Sequence, residues 1–587
     1  MYLIIILTLI KLIYVKCFIH YPNIRINGAE YIILTLKHYN VSNIFGYIGG
    51  SNLQLFDSLY KRDINLIVNR NEQCCGHSAE AYAKSSNKLG VLITTSGPGL
   101  TNIITPLQDA LSDGISLLAI SGQVSSTKLG TSAFQECKAT KITKPCVKKN
   151  ILIKNTNQLV KYLNPMIKIA MKNRKGPVHL DICSNVFSDF VDLNKKTSLK
   201  INSIKKKCVN SNTNFNIELT NKIYEKIMKS KNPILIVGYG CSSDYINLRK
   251  FIEIYNIPTC STLHGLGIVD YNNNLNLDMI GMHGSYYANK AIQNSDLIIG
   301  LGNRFDDRTI GKIDTFGLNA KKNFGIIHID NSDEKLNEVK QIINPEISLK
   351  SDSSKFLSIM ITNFKKKPNR NNWFNKINNY KLEYNFEPKI GINIPWIVKS
   401  LSKQINKNNK NYIITTGVGV HQMQVAQYFE FDKPKCLITS GSQGTMGVST
   451  PFAIGCQIAN PNKLVISIDG DGSFQMTSSD LMTIKELGLP IKILIMDNEN
   501  LQMVTNWQDE FYNSKYSGSK LENPDFVKFA ESMGIKGIYC DSINNLNDII
   551  SEIIFSDYPL LVHFKVKSEK CLPFVAPNKS LDDMILN

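Results

Sequence analysis

Short, unbroken apolar runs alternate with segments whose apolar residues return at helical spacing along most of this chain. The clearest case is LVISI at 464–468, which ends in Asp469-Gly470-Asp471-Gly472-Ser473. SSDLMTIKELG follows with helical spacing, and the next run, IKILIM, ends in Asp497-Asn498-Glu499-Asn500. Strand, helix, strand in that order is a β-α-β unit with parallel strands. Both polar clusters then sit at carboxyl ends of strands, where open α/β sheets bind ligands.

The same alternation predicts two earlier units. From 21 to 185, GAEYIILTLKHY reads as a helix, and NIFGYIGGSN, VLITTSGPGLTN and ISLLAISGQ read as strands running into glycine-rich or polar ends. From 215 to 365, NPILIVGYGCS, SDLIIGLGNRFDDR and FGIIHIDNSD continue the pattern. The last unit runs from 394 to 570. Lys- and Asn-rich stretches at 186–214 and 366–393 read as linkers, the second wrapping outside the cores, and 571–587 as a C-terminal tail. The predicted class is α/β, with three doubly wound parallel-sheet domains.

At 587 residues the chain has room for such a set of domains, at about 150 residues each. The formal charge is +18, from 67 Lys+Arg against 49 Asp+Glu. The lysines are scattered among Asn and Ile, so no nucleic-acid partner is expected, and the excess suits anionic cofactors and substrates. Thirteen cysteines without CxxC pairs point to reduced structural thiols. Residues 2–15 (YLIIILTLIKLIYV) are apolar apart from Lys11. That is too short for a membrane span and reads as the core of a targeting leader over 1–20, so no stable membrane insertion is expected.

A lone Gly-Asp-Gly is most often a turn. Here Asn498 follows Asp471 by one crossover, so the two can converge. The Asp471 carboxylate, the Asn498 amide oxygen and the Asn500 carbonyl make a hard donor set for Mg²⁺, which keeps room for phosphate oxygens. Backbone amides at Gly472 and Ser473 can face a diphosphate. The arrangement resembles the metal and diphosphate motif of thiamine diphosphate (ThDP) enzymes, which opens with GDG and closes with Asn.

Glu72 begins the helical segment EQCCGHSAEAYAKSS. By itself it is an acid stabilised by the dipole of a helix first turn. However, FGYIGG, EQCCGHSAEAYA, TSGPGLTN, ISGQV and TSAFQE succeed one another as in the catalytic subunits of acetohydroxyacid (acetolactate) synthases, and the resemblance covers residues 26–570. It implies that Glu72 activates ThDP through a hydrogen bond to the aminopyrimidine. It implies that Phe134 and Gln135 reach the active site, and that His421, Gly444 and Met446 hold ThDP, with Met446 as the wedge that bends it. FAD, as a structural cofactor, is implied by Arg174, Gly238, Gly240, Thr262, Leu263, Met282, His283, Arg304, Asp306 and Asp330. Arg308 is implied to hold the carboxylate of the acceptor substrate, and Met503 and Trp507 to shape its pocket. The structural alternatives are Phe134 and Met446 as core, Gln135 on the surface, Arg308 paired with Asp306 or Asp307, and Met503 with Trp507 as a buried apolar patch.

The implied reaction decarboxylates pyruvate on ThDP and condenses the hydroxyethyl carbanion with a second pyruvate or 2-oxobutyrate, in branched-chain amino-acid biosynthesis. The implied assembly is a homodimer or tetramer with active sites between subunits and a small regulatory partner. The leader suggests a plastid or similar organelle; the alternative is the cytoplasm of a bacterium. The chain departs from the family pattern at Ser184, Ser332, Gly417 and Val420. Rival readings are a pyruvate oxidase or 2-oxoacid decarboxylase, against which Trp507 and Arg308 argue, a glyoxylate carboligase, against which Glu72 argues, and a drifted non-catalytic homologue.

Overall fold

The computed structural model describes residues 25–60, 62–191, 216–363, 366–384 and 386–587. The expected leader and residues 192–214 of the first linker lie outside the described residues.

Three six-stranded sheets carry the fold, and every neighbouring pair of strands in them is parallel. The first contains β1 (Asn43–Gly46), β2 (Asn65–Ile67), β3 (Gly90–Thr94), β4 (Leu117–Gln123), β5 (Lys149–Ile153) and β6 (Pro177–Cys183). The second contains β7 (Pro233–Val237), β8 (Thr259–Ser261), β9 (Asn276–Met279), β10 (Leu297–Leu301), β11 (Ile326–Asp330) and β12 (Ile347–Lys350). The third contains β13 (Tyr412–Thr416), β14 (Leu437–Ile438), β15 (Leu464–Gly470), β16 (Lys492–Asp497), β17 (Lys536–Cys540) and β18 (Leu560–Lys565).

The first and third sheets share one topology, β2-β1-β3-β4-β6-β5 and β14-β13-β15-β16-β18-β17. The middle sheet runs β9-β8-β7-β10-β11-β12, the order of dinucleotide-binding sheets. Each chain path crosses to the other side of its first strand, between β1 and β3, between β7 and β10, and between β13 and β15. A crevice opens at the carboxyl end of each such reversal, so the topology alone nominates three ligand positions. The inner strands are apolar without alternation because helices cover both faces; all seven residues of β4 and all six of β16 are buried.

The first and third units share one core, in which Phe45 and Tyr82 join Phe452 and Phe474. Its seam is helix α1 (Glu72–Ser86) against helix α2 (Ser449–Ala459). Contact is backbone to backbone: a Cβ on Gly455 would come within 2.0 Å of the Ser78 carbonyl oxygen, so only glycine allows this approach. Ser78 Oγ donates to the Pro451 carbonyl at 2.8 Å, and the His77 ring packs edge-on to Phe452.

The second linker does not wrap outside the cores. Asn371–Glu383 is a helix whose Trp373, Ile377 and Tyr380 are buried, and Trp373 Nε1 donates to the Pro233 carbonyl at 3.0 Å. Only three apolar residues in an Asn-rich stretch mark that face, which is why it reads as polar. The tail also returns to the middle unit. Phe574–Val575 pairs antiparallel with Met584–Ile585, Val575 N donates to the Met282 carbonyl at 2.8 Å, and Leu581 is buried. The first unit closes by pairing Ile26 with Val191. All eleven described cysteines are free, as expected of reduced thiols. Among the described residues no helix is long and apolar enough to cross a membrane.

Candidate active site

The reversal between β13 and β15 gathers one group of expected residues. β15 ends at Gly470, and a short helix, Asp471–Gln475, starts directly from it, so the amides of Gly472 and Ser473 lie in a first turn without intrahelical partners. Across the reversal β13 ends at Thr416, and a Cβ on Gly417 would meet Asp469 Oδ1 at 1.9 Å and Ser473 Oγ at 2.3 Å. The buried His421 ring lies with Nε2 3.3 Å from Asp469 Oδ1, and Asp469 Oδ2 has no hydrogen-bond partner. The segment carrying Gly444 and Met446 is tied in by Gly447 N, which donates to Ser473 Oγ at 2.9 Å. Met446 is half-buried, not core, and Gly444 has φ +65°, where a Cβ would meet only Val418 Cγ1, at 3.7 Å. Val420, where the sequence departs from the family pattern, is buried.

Asp471 and Asn498 emerge from neighbouring strands, as the crossover requires. Asn523, which no local motif marks, bridges two buried carboxylates: its amide donates to Asp471 Oδ2 at 2.7 Å and to Asp497 Oδ1 at 2.8 Å. Burial, with Asp497 adding its charge, pushes the Asp471 carboxyl up to about 6. Burial acts on Asp497 too, but His563 Nε2 at 2.7 Å and Lys565 Nζ at 3.2 Å outweigh it and hold that carboxyl low. The Asn498 side-chain oxygen accepts from Asn500 N at 3.1 Å, which folds the two into one turn. Helix Gln502–Phe511 follows and buries the polar Thr505 and Asn506. Met503 and Trp507, one turn apart, stay partly exposed, which is not the buried patch of the structural alternative.

A second group forms on the first unit. Asn71 caps α1, accepting from Gln73 N, and places Glu72 at the first helical position. The Glu72 carboxylate accepts from Asn102 Nδ2 at 2.9 Å, and a Cβ on Gly99 would begin 3.5 Å from its Oε1. Gln135 has φ +61° and packs its Cβ against Gly97. Phe134 is 88% exposed, which removes the core alternative for it. The contacts joining this unit to the third within one chain run through α1 and α2, through Asn69 and Arg70 to Asp480, and through Asp109, Ser112 and Asp113 to residues 440–443. The hydrogen bond of Glu72 stays within the first unit, to Asn102.

The third group surrounds the reversal between β7 and β10. Gly240 N donates to the Gly302 carbonyl, and these two glycines pack backbone on backbone, with Gly302 at φ +61°. Gly238 follows β7, Thr262 and Leu263 follow β8, and Asp330 ends β11. Arg174 and Arg304 converge on the Ser112 carbonyl, each with one guanidinium nitrogen. Burial, then the neighbouring Arg304, pulls the Arg174 pKa down. Asp306 caps the short helix Asp307–Ile310. Arg308 is exposed, donates to Met282 Sδ at 2.9 Å and lies 3.8 Å from Asp307. Burial lowers His283 to about 4.

At the seam between the first and third units His77, Glu80 and Asp109 are buried together, with His77 Nδ1 at 3.1 Å from Glu80. Burial lowers the imidazole to about 4 and pushes the Asp109 carboxyl up to about 7, while the neighbouring His77 works against that rise. Folded Asp109 therefore keeps its proton where the unfolded chain, near the ordinary carboxyl value of 3.8, has lost it. Between about pH 4 and 7 the native state binds more protons, so stability falls as pH rises. Asp109→Asn is expected to flatten that part of the fall, read as a smaller change in melting temperature between pH 5 and 7.5 than in the native sequence.

Family models of thiamine pyrophosphate enzymes match the chain in three places: the N-terminal TPP binding domain over residues 26–142, the central domain over 220–360 and the C-terminal TPP binding domain over 417–564. Over 579 residues the chain is 38% identical to a protein of Saccharomyces cerevisiae named acetolactate synthase catalytic subunit, mitochondrial, covering 96% of this chain and 84% of that protein. It is 36% identical to the acetolactate synthase large subunit of Lactococcus lactis, covering 95% and 96%. With acetolactate synthase 1, chloroplastic, of Nicotiana tabacum the identity is 33%, covering 95% and 84%.

Proposed function

The chain belongs to the acetolactate synthase catalytic subunits, a family of ThDP enzymes, and from that premise we propose how its own residues divide the work. The enzyme joins two molecules of pyruvate, or pyruvate and 2-oxobutyrate, with loss of CO₂. When bound, ThDP supplies the carbon nucleophile and the electron sink for that loss. The buried His421 ring, together with the first-turn amides of Gly472 and Ser473, suits its diphosphate. Gly444 and half-buried Met446, tied to Ser473, suit its rings.

Asp471, the Asn498 side chain and the Asn500 carbonyl are the donors for Mg²⁺; the high carboxyl pKa at Asp471 fits a group held ready for a cation. Arg174 and Arg304, two guanidiniums around glycine backbones, suit the diphosphate of FAD. Glu72 holds and returns a proton at the pyrimidine end of the site. Exposed Arg308 offers its planar fork to the acceptor carboxylate, with Met503 and Trp507 giving the apolar wall. Phe134 and Gln135 close the entrance from the first unit. Glu72 hydrogen-bonds within its own unit, to Asn102, and its expected partner is the third unit of a second copy, so that the working site joins two copies. The words "large" and "catalytic subunit" in the relatives' names support a smaller partner, and "mitochondrial" and "chloroplastic" support an organelle.

The observation that carries this reading is the tie of Gly447 to Ser473 across the reversal between β13 and β15, with Asp471 and Asn498 following the adjacent strands β15 and β16. Purified protein supplied with pyruvate, ThDP, Mg²⁺ and FAD is expected to form acetolactate, and to stop when ThDP or Mg²⁺ is withheld. Acetaldehyde or peroxide as the main product would overturn the reading.

A further inference from the structure

The base of loop 439–446 is held within its own unit, where Gln422 Nε2 donates to Thr439 Oγ1 and to the Ser440 carbonyl, but its tip is held by side chains of other units. Thr439 and Ser440 are buried, but Ser442, Gln443 and Gly444 are exposed, and Gly444 touches little. What fixes this tip comes from the first unit. Asp113 accepts from Ser442 Oγ at 2.5 Å and from Gly441 N at 3.4 Å. Ser112 Oγ accepts from Gln443 Nε2 at 2.8 Å. One turn earlier Asp109 accepts from Ser440 Oγ at 2.9 Å, and Ser440 Oγ in turn accepts from Thr445 N at 3.0 Å. The middle unit adds Arg304, which donates to the Ser112 carbonyl at 2.7 Å and to Ser442 Oγ at 2.8 Å. Burial would neutralise Asp113, but His264, at 2.8 Å, and Lys84, at 3.2 Å, outweigh it and keep the carboxyl well below the usual range. The tip is thus gripped by an ionised acceptor, whose hydrogen bonds are stronger than neutral ones.

We propose that Asp113 is a positioning residue for ThDP: from the first unit it fixes, through Ser442 and Gly441, the loop of the third unit that carries Gly444 and Met446. The three units meet at this node, so the pose of the cofactor loop depends on how they are packed. The proposal rests on the reading of Gly444 and Met446 as ThDP contacts.

The full chain is tested as Asp113→Asn, Ser442→Ala and Ser442→Thr, with Kd for ThDP read from quenching of intrinsic fluorescence and kcat read at saturating ThDP. Asp113→Asn is expected to raise Kd about tenfold and Ser442→Ala about threefold, the loss of one or two charge-assisted hydrogen bonds. Neither should change kcat at saturation by more than about twofold, whereas a general loss of structure would lower kcat and the melting temperature together. Ser442→Thr keeps the hydroxyl and is expected to restore native affinity. If Asp113→Asn does not fold because Lys84 is left buried without its partner, the Ser442 pair decides. A folded Ser442→Ala with native Kd overturns the proposal. Met446→Ala separates the two readings: if it too binds and turns over as the native chain, the assignment of the loop to ThDP fails, and if it alone is impaired, the role of Asp113 fails.

Discussion

Glu72→Gln is expected to lower acetolactate formation by about 10²- to 10⁴-fold, the range of a lost general acid–base group, while leaving the protein folded. Glutamine has the shape of the native side chain, and its oxygen can still accept the hydrogen bond from Asn102 Nδ2. What it lacks is an oxygen that exchanges a proton. Glu72 is only part-buried at the first position of α1, where Asn71 already caps the helix. Loss of its charge there costs about 0.3–1 kcal/mol of dipole interaction, too little to unfold a chain this size. The rate effect and the stability effect therefore separate by orders of magnitude. Initial rates at saturating ThDP, Mg²⁺ and pyruvate, set beside the melting temperature, check this. A variant that makes product at the native rate would remove Glu72 from the mechanism.

The parts of this fold that were legible in the sequence are those with a local cause. A strand covered by helices on both faces must be apolar throughout, so LVISI and IKILIM announce β15 and β16 directly. One crossover then places Asp471 and Asn498 just beyond the ends of neighbouring parallel strands. The missing parts depend on pairings between distant segments. Nothing around Asn523 says that it bridges Asp471 and Asp497, and nothing around His563 says that it holds Asp497 ionised. The node at Asp113 is of the same kind, since its partners are Lys84, His264 and Ser442 from three units. Helix Asn371–Glu383 escaped because its buried face is only three residues wide. The alternatives for Phe134 and Met446 as core could be settled only by exposure, because apolar residues that line a site and those that fill a core look alike in a sequence.

Asp471→Asn is expected to abolish the enzyme at ordinary Mg²⁺ concentrations without weakening the fold. Asp471 and Asp497 are both buried and share one amide donor, so one carboxylate is poorly compensated in the empty protein. His563 and Lys565 keep the charge on Asp497, and burial with that neighbouring charge leaves Asp471 as the site that takes a proton, at about 6. A cation resolves this strain by binding; asparagine resolves it by removing the charge. Replacing the acid should therefore hold or raise the melting temperature of the metal-free protein, because a buried charge without a full partner is itself costly. The same change removes the only carboxylate proposed as a Mg²⁺ donor and leaves neutral oxygens, so the Mg²⁺ concentration for half-maximal activity is expected to rise about 100-fold or more. ThDP affinity should fall with it, since the cation is the counter-charge of the diphosphate. Titrations of Mg²⁺ against activity and against ThDP binding, beside thermal melting without metal, read the three effects separately. Unchanged Mg²⁺ dependence would show that the acid at 471 faces no metal, and a lower melting temperature would show that its charge is structural.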